Sequence, residues 1–155
     1  MFNRKKKPSI NIEDLLQLKK PEKKKYYVAI IYIDKGNYFS DIFHDTVNKC
    51  YTMIQKHEGD VNQFLGGIIL ALWGAAFSFS ADKERSLAFF SELESSNLPV
   101  SAILMDDIGS YGTFGNERQL TVTAVSDNII NAIKELTISD DKIFINKIVP
   151  EESTN

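Results

Sequence analysis

The sequence GDVNQFLGGIILALWG, residues 59–74, has two short apolar runs on either side of Gly66 and Gly67. It belongs to a longer stretch, residues 61–81, which has no charged residue and is as long as a membrane-spanning helix of about 17 to 25 residues. Glycine accepts the positive φ that both central positions of a tight hairpin turn require. The pair therefore favours two strands, over residues 61–66 and 68–75, rather than one helix.

Strands and helices alternate on both sides of this hairpin. Residues 26–33, YYVAIIYI, are an aromatic and β-branched run typical of a buried central strand. Residues 40–57 repeat apolar side chains at helical spacing, and Gly59 is placed to end that helix. Further along, the pattern predicts a helix over 81–95, strands over 100–105 and 120–124, a helix capped by Ser126, and a strand over 143–148.

This order of elements is α+β. It predicts a ferredoxin-like sheet, the split βαβ arrangement, with an added hairpin and helix. Because crossover connections are right-handed, the two main helices should cover the same face of the sheet. The other face is then expected to pair with another chain or to bind a ligand. In the last helix, four residues are expected to face the core: Ile129, Ile130, Ile133 and Leu136.

Asp106 and Asp107 follow the predicted strand over residues 100–105. Two adjacent carboxylates on a strand point to opposite faces of the sheet, which disfavours a general acid/base pair. We therefore expect both side chains to be solvated where a loop begins.

The net charge of −3 conceals a strong asymmetry. Residues 1–25 contain nine of the 18 basic and three of the 21 acidic residues, so this leader is +6 and the remainder is −9. An acidic body argues against nucleic-acid binding, because neutralising phosphates needs a basic face. The leader is expected to bind an acidic membrane surface or a protein partner. Within residues 10–18, Ile12, Leu15, Leu16 and Leu18 would share one face of a helix.

The predicted organisation is a basic leader over residues 1–25, one folded domain over residues 26–149 and a tail over residues 150–155. Cys50 is the only cysteine, which favours a reducing compartment. No apolar signal-peptide core follows the basic residues 4–7. A cytoplasmic location is therefore expected, with membrane association through the leader.

Three segments carry a family pattern. Tyr32-Ile33-Asp34 ends a hydrophobic strand and is similar to Phe-Ala-Asp. Residues 59–74 are similar to Gly-x-x-x-Lys-x-x-Gly-Asp-x-x-x-Ala-x-Phe-Gly, and residues 112–115 and 123–129 to Gly-x-Ile-Gly and Thr-Val-Ile-Gly-Asp-x-Val. Over about residues 26–136 the chain thus resembles the class III adenylate/guanylate (nucleotidyl) cyclase homology domain. The resemblance implies a nucleotide-cyclase-like fold and a dimer, either with a second copy or with another cyclase-like chain.

In that family, two aspartates hold two Mg²⁺ or Mn²⁺ ions, which activate the ribose 3′-hydroxyl of ATP or GTP for attack on the α-phosphorus. The resemblance implies that Asp34 is the first metal ligand, whereas Gly67 stands where the second aspartate would be. It also implies that Gln63 replaces the lysine that reads the base and that Thr123 is its polar partner.

Two further positions differ from the family pattern. Lys134 stands at the transition-state arginine, and Ile130 stands at the asparagine that orients the ribose. A lysine carries the charge but lacks the planar guanidinium. Removing one preorganised charge-stabilising group costs about 10² to 10³ in rate, so we expect this chain to be catalytically degenerate.

The expected role is signalling by dimerisation or nucleotide sensing, with Mg²⁺ or Mn²⁺ bound only alongside a nucleotide. Three alternatives remain open. The first is an active or half-active adenylate/guanylate cyclase within a heterodimer. The second is a degenerate domain of the diguanylate cyclase (GGDEF) type, which also has Gly-Gly at this hairpin. The third is a structural scaffold or assembly module.

Overall fold

The computed structural model describes residues 20–33, 38–116 and 118–148. Asp34, most of the leader and the tail from residue 149 lie outside these ranges, so the predictions made for them are not addressed by the structure. The elements are β1 (Glu22–Ile33), α1 (Asp41–Lys56), β2 (Asp60–Leu65), β3 (Ile68–Trp73), α2 (Asp82–Ser95), β4 (Val100–Asn116), β5 (Gln119–Val125), α3 (Asp127–Ile138) and β6 (Phe144–Asn146). The predicted order of strands and helices is confirmed.

The strands form one six-stranded sheet in the order β2-β3-β1-β4-β5. Neighbours along this path are antiparallel, and β6 pairs in parallel with the first part of β4, at Ala102, Ile103 and Leu104. The first four strands have the predicted ferredoxin-like arrangement, with β1 between β3 and β4. The hairpin β4-β5 with α3 and β6 is the predicted addition.

The two faces of β1 pack against different helices, because successive side chains of a strand point to opposite faces. Ala29 and Ile31 are fully buried against α1 and α2, as expected for two helices on one face. Val28 and Ile30 are fully buried on the other face, where α3 contributes Ile129, Ala132 and Leu136. The expectation that this second face is left for another chain or a ligand is therefore wrong over the area that α3 covers.

The hairpin is confirmed: the first strand begins and ends one residue earlier than predicted, and the second ends two residues earlier, at Trp73. Gly66 and Gly67 have φ values of 60° and 82°, as a two-residue turn of this kind requires. Residues 61–73 of the uncharged stretch therefore form the two strands and their turn, and residues 74–81 connect them to α2. In the three described ranges, no helix combines the length and the apolar character needed to cross a membrane.

Two predicted boundaries are wrong. β1 begins at Glu22 rather than Tyr26, and β4 continues to Asn116 rather than ending at residue 105. The two extensions pair with each other, since Glu22 lies opposite Tyr111. The charged residues at the start of β1 and the glycines in the second part of β4 are not typical of strands. The two segments are stabilised as strands because they pair with each other.

The prediction for α3 is wrong at Ile130, whose side chain is 48% exposed. Ala132 takes the core position instead and is buried. The helix begins as predicted, since the hydroxyl of Ser126 accepts a hydrogen bond from the backbone N–H of Ile129 at 3.1 Å.

Candidate functional site

β2 and β5 lie at opposite ends of the sheet order, yet they contact each other through side chains. The amide nitrogen Nδ2 of Asn62 in β2 donates a hydrogen bond to the backbone carbonyl of Val122 in β5 at 3.1 Å. The sheet therefore curves far enough for its two outer strands to meet. Sheet twist and the 17-residue length of β4 both favour this curvature.

Gln63 and Thr123 meet at this junction. The side-chain amide of Gln63 donates to the hydroxyl of Thr123, and that hydroxyl donates to Oδ1 of Asn62 at 2.7 Å. Thr123 is buried, and Gln63 and Asn62 are half-buried. The amide oxygen Oε1 of Gln63 has no hydrogen-bond partner among the described residues, so it remains able to accept one from a ligand.

A cavity of about 220 Å³ lies beside this cluster. Gln63 is its one strongly polar lining residue, and six apolar residues from β2, β3, β5 and α3 complete the wall: Leu65, Ile68, Leu70, Ala124, Ile129 and Ile133. Typical ligand pockets measure about 300 to 1,000 Å³, so this one fits a small ring system better than an entire large ligand. Its apolar walls suit the faces of a ring, and the amide of Gln63 suits a polar edge.

The hairpin turn lies at the end of β1. The backbone N–H of Ile33 donates to the carbonyl of Gly67 at 2.9 Å, which places the turn next to the residue before Asp34. A Cβ on Gly67 would lie 3.7 Å from the ring of Tyr38, which is an ordinary contact. The neighbouring atoms thus leave space for a Cβ, but the φ of 82° at Gly67 would strain any residue that carries one.

Among the described residues, which leave out Asp34, metal-binding side chains do not gather at this turn. The part of the chain that the structure describes holds no group of three or more His, Cys, Asp or Glu residues arranged to bind a metal. The two-metal arrangement implied by the resemblance needs two carboxylates, and Gly67 provides no donor side chain. The residues present therefore do not fit a two-metal site, and we derive no reaction step through one.

Lys134 lies on the exposed side of α3. Its ammonium forms no hydrogen bond or salt bridge with another residue in the described ranges. The preceding residue, Ile133, lines the cavity. The structure thus brings together two of the predicted site residues and leaves Lys134 facing outward on the neighbouring helix.

Asp107 supports this site and was missed from the sequence. It is only 4% exposed, which contradicts the prediction of a solvated loop residue. Its carboxylate accepts hydrogen bonds from the hydroxyl of Tyr26 at 2.7 Å, the hydroxyl of Ser126 at 2.6 Å and the amide of Asn128 at 2.8 Å. These contacts fix the start of α3 on β1 and β4, and α3 forms part of the cavity wall.

The ionisation of this cluster follows from its contacts. Burial acts to raise the pKa of Asp107, but hydrogen bonds from Ser126, Asn128, Tyr26 and the backbone of Ile108 outweigh it and hold that pKa below its usual value. Burial and the neighbouring carboxylate both raise the pKa of Tyr26. Asp107 is therefore charged and Tyr26 neutral near pH 7.

Comparison with known proteins finds likeness in structure only. No protein-family model matches this sequence, and no curated protein does. Adenylyl cyclase CyaB from P. aeruginosa is 14% identical with a TM-score of 0.61, over 81% of this chain and 78% of that chain. A guanylate cyclase domain from Catenaria anguillulae, solved in complex with GTP, is 14% identical with a TM-score of 0.59, over 80% of this chain and 79% of that chain.

A third similar structure is the non-canonical dimeric guanylyl cyclase domain from the aquatic fungus Blastocladiella emersonii. It is 15% identical with a TM-score of 0.59, over 80% of each chain. Each alignment covers 80% or 81% of this chain, although the identity is only 14% or 15%. The chain therefore has the fold of the class III adenylyl and guanylyl cyclase domains.

Proposed function

We propose that this chain is a nucleotidyl cyclase-like domain that binds a nucleotide base and acts in signalling without catalysing cyclisation by itself. The contact between Gln63 and Thr123 carries this proposal. By the sequence resemblance, the two residues stand at the positions of the family's base-reading pair, and their side chains lie beside an apolar cavity. The unpartnered Oε1 of Gln63 is a suitable acceptor for an amino or ring N–H group of a base.

The proposed loss of catalysis rests on the substituted positions. Gly67 has no carboxylate to complete a metal pair, and Ile130 has no polar group for a ribose hydroxyl. Lys134 offers a charge without the fork of donors that an arginine presents. At about 10² to 10³ in rate for each lost stabilising group, these changes together leave little activity.

We further propose that the chain acts as a dimer, with itself or with another cyclase-like chain. The similar domain from Blastocladiella emersonii has been solved both as a non-canonical dimer and as a monomer, so that fold can form a dimer. The side chain of Lys134 is exposed and open to contact by a partner. A partner that supplies a carboxylate and a guanidinium could complete one site. An active or half-active heterodimer is therefore the second candidate.

The test combines two measurements on the purified chain. Incubation with Mn²⁺ and ATP or GTP should yield no cyclic nucleotide. Thermal unfolding with the same nucleotides should show stabilisation, since a ligand at 100 times its Kd adds about 2.7 kcal/mol. The Thr123→Val variant should lose this response, whereas Ile138→Ser, on an exposed part of α3, should keep it.

The two measurements separate the parts of the proposal. Appreciable cyclic AMP or cyclic GMP from the chain alone would show that the degenerate interpretation is wrong. An absence of stabilisation by any nucleotide would instead remove the base-binding role and favour a pure interaction module.

A further inference from the structure

Asn62 occupies an irregularity in β2. Val61 lies opposite Ala71 of β3 and Gln63 lies opposite Leu70, so Asn62 is an extra residue in this register. An extra residue of this kind forms a β-bulge, and bulges are frequent next to functional sites, where they turn a side chain in a new direction. The family pattern has no fixed residue at this position, so the role of Asn62 has to be inferred from its contacts.

The bulge brings two consecutive side chains to the same group. Successive side chains of a regular strand point to opposite faces of the sheet. Asn62 and Gln63 nevertheless both contact the hydroxyl of Thr123 in β5. The irregular register therefore allows both side chains to meet Thr123 beside the cavity.

The directions of the hydrogen bonds in this cluster are fixed by one backbone group. The carbonyl oxygen of Val122 can only accept, so the atom of Asn62 that lies 3.1 Å from it must be the amide nitrogen. The other end of that amide is then the oxygen Oδ1, which lies 2.7 Å from the hydroxyl of Thr123 and can only accept. The hydroxyl of Thr123 therefore donates to Asn62.

The single hydrogen of the Thr123 hydroxyl is used in this way. The carbonyl of Ala124, at 3.4 Å, is a more distant acceptor than Oδ1 of Asn62 at 2.7 Å. Toward Gln63 the hydroxyl can only accept, so the Gln63 amide must turn its NH₂ group to Thr123. The oxygen Oε1 is then the end of Gln63 that is left to accept from a ligand.

An acceptor beside apolar walls favours a ligand that can donate to it. Glutamine pairs with adenine through two hydrogen bonds, in which Oε1 accepts from the amino group and Nε2 donates to a ring nitrogen. Guanine carries a carbonyl oxygen and an additional amino group. Since Gln63 is the one strongly polar residue of the lining, further polar groups of a base would be buried there without partners. The site therefore suits adenine better than guanine.

We propose that Asn62 is a positioning residue that makes this site select adenine. It acts through Thr123: by accepting from that hydroxyl, it fixes the direction in which Gln63 donates and keeps Oε1 available to the amino group of the base. Without Asn62, the hydroxyl of Thr123 donates to Oε1 instead, which turns the Gln63 amide and removes the acceptor. This inference rests on the base-binding role proposed above.

The test compares ATP with purine riboside triphosphate, which differs from ATP only in lacking the 6-amino group. Calorimetric titration of the full chain should give an affinity about tenfold higher for ATP, as expected when a buried acceptor keeps its donor. Asn62→Leu should abolish most of this difference. Asn62→Asp should keep it, because a carboxylate oxygen still accepts from Thr123, although the contact with the Val122 carbonyl becomes repulsive. Asn48→Leu, the same substitution at an exposed position of α1, is the matched control and should also keep it.

A second measurement needs no nucleotide. In ¹⁵N-resolved NMR spectra of the free chain, the Nε2 hydrogens of Gln63 should show a strong nuclear Overhauser effect to the side chain of Thr123. We expect this effect in the wild type and in Asn62→Asp, and we expect it to weaken in Asn62→Leu. The amide signals of Gln55, exposed on α1, should be the same in all three proteins.

The outcomes that would overturn the proposal are distinct. Equal affinity of the wild type for ATP and the analogue, or tighter binding of GTP than of ATP, would disprove the selectivity. An Asn62→Leu variant with the wild-type preference and Overhauser effect, or an equal loss of the preference in Asn62→Asp, would disprove the positioning role. Failure of all three nucleotides to bind would instead remove the base-binding function itself, and the selectivity with it, whatever the NMR spectra show.

Discussion

The side-chain amide of Gln63 donates a hydrogen bond to the hydroxyl of Thr123, and this contact joins β2 to β5, the two ends of the sheet order. No backbone ladder connects these strands in the described residues, so the junction depends on side chains. Asn62 extends the cluster by accepting from Thr123 and donating to Val122. The curvature of the sheet and the candidate base-binding site thus depend on the same few groups.

Replacing Thr123 with valine should destabilise the fold. The change keeps the shape of the side chain but leaves the Gln63 amide and Oδ1 of Asn62 without their partner. We expect a loss of about 1 to 3 kcal/mol in the free energy of unfolding, measured by urea denaturation. Thr121→Val on the same strand, at an exposed position, is the control and should change stability little. Equal effects of the two variants would contradict a structural role for the cluster.

Asp107→Asn should lower stability in a pH-dependent way. At pH 7 the variant loses charge-assisted hydrogen bonds, and we expect a cost of about 2 to 3 kcal/mol. The folded pKa of Asp107 lies below the unfolded value of about 3.9, so its contribution is complete above that pH and declines as pH falls toward the folded pKa. The difference between wild type and variant should therefore shrink below about pH 4.

The measurement is urea unfolding of both proteins at pH 7 and near pH 3. Asp106→Asn, at the neighbouring half-buried position, serves as the matched control. A difference between wild type and Asp107→Asn that stays constant over this range would disprove the ionic contribution.

Gly59→Ala should be destabilising because of Trp73. A Cβ at residue 59 would lie 2.5 Å from Cζ2 of Trp73 and 2.9 Å from Cγ2 of Ile54, both of which are buried. The indole cannot easily retreat, since its N–H donates to the carbonyl of His57 at 3.0 Å. Overpacking of this kind costs about 1 to 3 kcal/mol.

A double variant isolates the cause. In a Trp73→Phe background, which has a smaller ring, Gly59→Ala should cost clearly less, and the difference between the two costs is the coupling energy of the pair. Identical costs in both backgrounds would mean that Gly59 is required for another reason.

The thiol of Cys50 should not react with thiol reagents in the folded protein. Its side chain is fully buried, and burial raises the pKa of the thiol to about 12. Reaction with a disulfide reagent at pH 8 should be limited by the unfolded fraction, about one chain in a thousand or fewer, and should become immediate in denaturant. Thr52→Cys, at an exposed position of the same helix, should react at once. Rapid reaction of Cys50 in the native protein would show that α1 opens readily.

The sequence determined those features that depend on neighbouring residues alone. The Gly66-Gly67 turn, the apolar stripe of α1 and the cap at Ser126 follow from allowed φ values, helical spacing and the reach of a short side chain. Each appears in the structure where the sequence predicted it. The pairing of Gln63 with Thr123 came from the family resemblance, and only the structure brings the two side chains into contact.

The features that were predicted wrongly from the sequence all depend on residues that are distant along the chain. Asp107 is buried because Tyr26 lies opposite it on the neighbouring strand β1, and because Ser126, which caps α3, donates a hydrogen bond to its carboxylate. Ile130 faces outward because α3 packs on β1 with Ala132 turned toward the core. A carboxylate or an isoleucine has no local preference strong enough to fix its surroundings. Its burial is decided by which strands pair and which helix covers them, and that is settled only when the whole sheet has formed.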